Sequence, residues 1–138
     1  MKCSLIERNN KRKFGKKLKY KLGSIYKYND FLLTAFSKFD ETDCAKISLS
    51  ELFNFYINFW NELSKNYNGK DVSIPLLGSG ITRFFDCPKL SDQDLLEILL
   101  LTFKYSSAQF SDKITFYITI LPDNSNKINL YLLKQIFN

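Results

Sequence analysis

The sequence predicts an α/β fold, a sheet covered by helices, and three observations carry that expectation. First, short runs alternate apolar and polar residues, clearest where Ile114, Phe116, Ile118 and Ile120 interleave with Thr115, Tyr117 and Thr119. A period of two places each set on its own face of a strand. Second, two stretches repeat apolar residues every three or four positions, and each opens on a capping-box pattern, Ser48-Leu49-Ser50-Glu51 and Ser91-Asp92-Gln93-Asp94, the signature of a helix start. Third, the two patterns alternate along the chain, which implies helices packed on a sheet and a ligand site outside the carboxyl ends of the strands.

Taken in order, residues 24–28 and 31–36 are β-rich runs around Asn29-Asp30, which reads as a tight turn or a short break. Asp40-Glu41-Thr42-Asp43 follows as an acidic loop. Its carboxylates resemble a metal loop, but the spacing fits no EF-hand and the central glycine is missing, so a bound cation is disfavoured. The first capping box predicts a helix to about Asn66, with Leu49, Leu52, Phe53, Tyr56, Phe59, Trp60, Leu63 and Tyr67 as a core-facing stripe and Gly69 at the C-terminal cap. Residues 72–77 read as a buried central strand, although Pro75 removes a ladder donor. The second capping box opens a helix that Leu95, Leu96, Ile98, Leu99, Leu100, Leu101 and Phe103 make apolar on most sides. The alternating strand through Ile120 is closed by a turn at Pro122-Asp123-Asn124, and a short helix over residues 128–137 completes the chain.

The candidate site is the loop that leaves the strand at residues 72–77. In Leu76-Leu77-Gly78-Ser79-Gly80-Ile81-Thr82-Arg83 two glycines let the backbone approach a ligand closely, and its N–H groups form an anion cradle. Thr82 and Arg83 stand where they could reach phosphate or ribose oxygens. An ion pair with Asp86 is an equal expectation for Arg83. Pro122 and Asp123 join the candidate set because their turn also leaves a strand carboxyl end, so the two loops wall one cleft if those strands are neighbours. By itself a Gly-x-Gly loop is a weak signal, common in packing turns.

From about Lys19 onward, the order of the Gly23 to Asp40 segment, the helix ending near Trp60, the Ile74 to Phe84 loop, the Leu90 to Leu96 segment and Lys127-Ile128-Asn129-Leu130 resembles the macro domain of the bacterial Thoeris anti-phage effector family ThsA. The resemblance implies a three-layer α/β/α fold with a mixed sheet. It also implies recognition of an ADP-ribose derivative, a histidine conjugate in this family, with the diphosphate held by backbone N–H groups of Gly78, Ser79, Gly80 and Ile81. The signal would come from a partner TIR-domain enzyme, and binding would trigger effector assembly without turnover, cofactor or metal. Macro domains also carry an earlier Asn-rich loop after a strand. No such strand and loop are expected before Gly23, so the chain reads as shortened at its N-terminus. A companion chain or second copy would then complete the pocket, or binding would be weakened.

Composition narrows the remaining classes. Histidine is absent, which removes Ser-His-Asp and Cys-His catalysis and the commonest zinc ligand. Cys3, Cys44 and Cys87 are odd in number and widely spaced, an arrangement that fits a reducing, cytoplasmic setting better than a disulfide framework. No apolar run approaches the length of about 18 residues that spans a bilayer. Of the net +6, residues 1–21 contribute nine cations against Glu7, leaving −2 for the rest. We therefore expect a basic arm over residues 1–18 and a macro-like domain over 19–138. An alternative function is nucleic-acid binding by the arm with Tyr20, Tyr26 and Tyr28, since cations beside aromatic rings hold single strands. Another is a non-enzymatic remnant of a longer protein, and the macro-domain resemblance also admits an ADP-ribosyl hydrolase, an activity that normally leans on the earlier Asn-rich loop.

Overall fold

A computed structural model describes residues 5–8, 10, 11 and 17–138. The α/β class is borne out. Nine strands and four helices follow one another as β1 (Leu5–Arg8), β2 (Leu18–Tyr20), β3 (Ile25–Tyr28), β4 (Phe31–Thr34), β5 (Lys38–Phe39), β6 (Ala45–Ile47), α1 (Leu49–Asn66), β7 (Val72–Pro75), β8 (Arg83–Phe84), α2 (Asp92–Lys104), β9 (Phe116–Thr119), α3 (Pro122–Ser125) and α4 (Leu130–Gln135) among the described residues. The strands pair in four groups: the antiparallel ribbons β1-β2 and β3-β4, the mixed set β5-β6-β8, and the parallel pair β7-β9. Parallel neighbours need a crossover. Here α1 lies between β6 and β8, and α2 between β7 and β9.

Both helices start where the capping boxes place them. Ser48 Oγ accepts the Glu51 N–H at 3.1 Å while the Glu51 carboxylate accepts the Ser48 N–H at 3.0 Å. Ser91 and Asp94 make the same exchange at 3.2 and 2.8 Å. A third carboxylate, that of Asp86, accepts the Leu49 N–H at 2.9 and 3.1 Å. It satisfies another of the unpaired donors at the start of α1 and ties the segment after β8 to that helix. Helix α1 ends at a Tyr67 cap, with Asn68 and Gly69 both at positive φ.

The core is the meeting of α1 and α2 with β7. Leu52, Phe55, Tyr56, Trp60 and Leu63 on α1, Leu95 and Leu99 on α2, and Ile74 and Leu76 at β7 are 4% exposed or less. Trp60 lies against Phe103 with ring centroids 5.0 Å apart, and its indole N–H donates to Thr102 Oγ1 at 3.1 Å. One position of the expected stripe shifts. Phe55 is fully buried against Phe36, whereas Phe53 is 38% exposed, because the hairpin β3-β4 covers a second side of α1. Gly23 makes that contact close. At φ +84° it sits so near α1 that an added Cβ would lie 2.5 Å from the Phe55 carbonyl oxygen.

Several local expectations are corrected. Strands β1 and β2 precede Gly23, in a region where no strand with its Asn-rich loop was expected, and position 18, the expected end of the arm, lies within β2. Residues 72–77 are not a central strand. β7 pairs on one side with β9 and alternates buried and exposed residues. The N–H groups of Val72 and Leu76 donate toward β9 at 3.0 and 2.9 Å. Pro75, of opposite parity, faces the other edge, where a missing donor costs nothing. Helix α2 buries one face and leaves Leu101 37% exposed. The Pro122 turn is a helical turn, with proline at the position whose N–H would be unpaired anyway. Strands β5, β6 and β8 are too short, at two or three residues, to show any periodicity.

Candidate functional site

The parallel register of β7 and β9 builds the site. Val72 stands opposite Phe116 and Pro75 opposite Thr119, so both strands end at the same edge. The loop of residues 76–82 and the turn at Leu121 therefore leave side by side from neighbouring strands. The pairing extends to the mouth, where the Leu76 N–H donates to the Thr119 carbonyl at 2.9 Å.

The two loop glycines differ in what surrounds them. Gly78 has φ +94°, and an added Cβ would lie 2.9 Å from the Phe84 ring and 3.5 Å from Leu95 Cδ1. Its role is to let the chain turn against β8 and α2. An added Cβ at Gly80 would meet nothing within 4 Å. Between them Ser79 closes the turn. Its hydroxyl donates to the Leu76 carbonyl at 2.9 Å and its N–H points to the same oxygen at 3.4 Å. The N–H groups of Gly80 and Ile81 meet no acceptor among the described residues, and Ile81 is 82% exposed. An open glycine with unpaired N–H groups is the arrangement that lets an anion reach the backbone.

Around this loop, Thr82 is half-buried and Arg83 exposed. The expected Arg83–Asp86 pair does not form. The Asp86 carboxylate faces the start of α1 instead, and Arg83 has no carboxylate partner among the described residues. On the neighbouring segment Pro122 and Asp123 are exposed in the first turn of α3. A carboxylate such as that of Asp123 suits a ribose hydroxyl and repels a phosphate. Sequence reasoning missed Phe84, which fixes Gly78. Its only trace was an aromatic pair, Phe84-Phe85, shortly after the loop.

The acidic loop is organised by its own residues. Asp40 Oδ1 accepts the Thr42 N–H, the Thr42 hydroxyl and the Cys44 N–H at 2.9, 2.7 and 3.0 Å, and Oδ2 pairs with Lys46 at 2.5 Å. The Lys46 contact first, then the Thr42 hydroxyl, holds this carboxyl well below the usual range. Among the described residues no group of three or more His, Cys, Asp or Glu side chains could hold a metal ion, and no helix is long and apolar enough to cross a membrane.

The family model for the macro domain of Thoeris protein ThsA matches residues 2–120. The chain belongs to the ThsA macro-domain family. Within this family, a relative described as Thoeris protein ThsA from Bacillus amyloliquefaciens (strain Y2) is 41% identical over 136 residues, 98% of this chain. The chain spans 46% of that relative's length. The ThsA macro-domain match begins at residue 2, well before Lys19, so the basic N-terminal residues belong to the matched pattern as well.

Proposed function

We propose that this ThsA-family macro domain binds an ADP-ribose derivative, a histidine conjugate in this reading, as a nucleotide signal in bacterial anti-phage defence. The observation that carries it is the open backbone at Gly80 and Ile81, set beside the Leu121 turn by the β7-β9 pairing. The N–H groups of Gly80 and Ile81 hold the diphosphate, Arg83 supplies the countercharge, and Thr82 and Asp123 take ribose hydroxyls. Gly78 and Ser79 shape the loop, and Pro122 sets the opposite wall. In this reading the domain is a cytoplasmic binding module with no turnover. A TIR-domain enzyme makes the signal, and a second copy or companion chain completes the assembly.

Isothermal titration with ADP-ribose and its histidine conjugate tests the reading. Gly80→Val should abolish binding while the melting temperature stays within a few degrees, because a Cβ added there has no protein atom within 4 Å. Arg83→Ala should weaken binding by about 1–3 kcal/mol, the range for a charged hydrogen bond. Equal affinity in the Gly80→Val protein would refute the cradle. Chromatography of the recovered ligand after incubation checks the absence of turnover, since any cleaved product would make the domain an enzyme.

A further inference from the structure

The N-terminal ribbons hold a second concave surface that shares no residue with the Gly78 loop. A groove of about 930 Å³ runs between β1-β2 and β3-β4, with Lys17, Lys19, Tyr20, Tyr26, Leu33 and Phe39 among its walls. Three lysines line it: Lys17, Lys19, which lies 3.8 Å from Glu7, and Lys38, which pairs with Glu51 of α1. The hairpin brings Tyr26 and Leu33 to the groove wall and continues the same face outward through Tyr28 and Phe31. Its register sets Ile25 opposite Thr34 and Lys27 opposite Leu32 on one face, and Tyr26 opposite Leu33 and Tyr28 opposite Phe31 on the other. The first face carries Ile25 and Leu32 into the core. The second leaves Tyr26, Tyr28, Phe31 and Leu33 exposed by 47, 59, 69 and 58%.

We propose that this groove and the outer face of the β3-β4 hairpin bind single-stranded nucleic acid. The charge complementarity is specific to this end of the chain, where residues 1–21 carry nine cations and one acid while the remainder is net negative. Tyr26 and Tyr28 are alternate residues of one strand, so their rings stand about 7 Å apart on one face. Successive bases of an extended strand stack on rings so placed while lysines track the phosphates. A polymer can run from the outer face into the groove, whereas a flat lipid surface would meet Tyr28 and Phe31 and leave the groove between the ribbons unfilled. This site is independent of the nucleotide-signal reading.

Fluorescence anisotropy of the full chain with a labelled oligothymidylate of about 15 nucleotides tests it. Affinity should fall roughly 7- to 20-fold between about 50 and 200 mM salt, as expected for two or three neutralised phosphates on a single strand. Tyr28→Ser should weaken binding at least about five-fold, whereas Tyr28→Phe, which keeps the ring, should leave it unchanged. Gly80→Val should bind the oligonucleotide like the parent chain. No binding at low salt overturns the proposal, and so does a Tyr28→Ser protein with parental affinity. Loss of oligonucleotide binding in Gly80→Val would relocate the site to the Gly78 loop and equally overturn it. Binding to phosphatidylcholine vesicles with about 30% phosphatidylserine, without oligonucleotide binding, would assign the surface to lipid.

Discussion

On α1 the aromatic side chains of Phe55, Tyr56 and Trp60 are no more than 1% exposed, while on the β3-β4 hairpin Tyr26, Tyr28 and Phe31 are 47–69% exposed. The residue types are the same, and geometry separates their fates. The apolar residues of α1 form a stripe that α2, β7 and the hairpin close from several sides. A two-stranded ribbon has two faces, and one helix covers only one of them. Aromatic content alone therefore does not measure core size, because part of it is directed outward at one end of the molecule.

The largest expected effect comes from breaking the enclosed side. Trp60→Ala removes a side chain 1% exposed and its hydrogen bond to Thr102, and should cost about 3–5 kcal/mol in urea denaturation. Tyr28→Ser, on the open side, should change stability by no more than roughly 0.5 kcal/mol. Similar losses in the two proteins would erase the distinction.

The seam between the regions is next. Gly23→Ala puts a methyl group 2.5 Å from the Phe55 carbonyl oxygen at a φ of +84°, and should destabilise by roughly 1–3 kcal/mol. Gly80→Ala, at an open position, serves as the quiet control in the same thermal melts.

Acid pH should then separate carboxylates that hold structure from those that do not. Asp40 and Asp94 lie below their ordinary value of 3.8, held by Lys46 and Thr42 in one case and by the Ser91 hydroxyl and N–H in the other. Glu51 lies below 4.5, its partial burial being outweighed by its bonds to Lys38 and Ser48. A depressed folded pKa gives stability that is fully present above the unfolded value and lost as pH falls toward the folded one. The melting temperature should therefore decline below about pH 4.5. Glu51→Gln and Asp94→Asn should flatten that decline, and an unchanged slope in both would refute their role.

Smallest of all is Tyr56→Phe. The Tyr56 hydroxyl is buried without a partner among the described residues, and burial pushes its pKa up. Removing an unsatisfied hydroxyl from a site of matching shape should leave stability unchanged or raise it slightly. A marked loss would reveal a hydrogen bond that the buried ring makes in solution.

Local features were legible in the amino-acid sequence because their causes lie within a few residues. Ser48 with Glu51, and Ser91 with Asp94, placed both helix starts. Asn29, at φ +53°, marked the hairpin turn, and the two-residue period marked β9. Phe55 was not legible, since its burial depends on the hairpin that packs from a distant part of the chain. The candidate site was legible as a composition, Gly-Ser-Gly followed by Thr and Arg, but not as a division of labour between Gly78 and Gly80.

By itself the sequence determined the α/β class, the two long helices and the charge of the N-terminal end, because capping, periodicity and charge are short-range properties of the chain. Only the tertiary structure decided that β7 and β9 are parallel neighbours, that Asp86 caps α1 rather than pairing with Arg83, and that one face of the β3-β4 hairpin stays open. Each of these depends on which distant segment occupies a shared edge or face, and that choice is made by the packing of the whole chain.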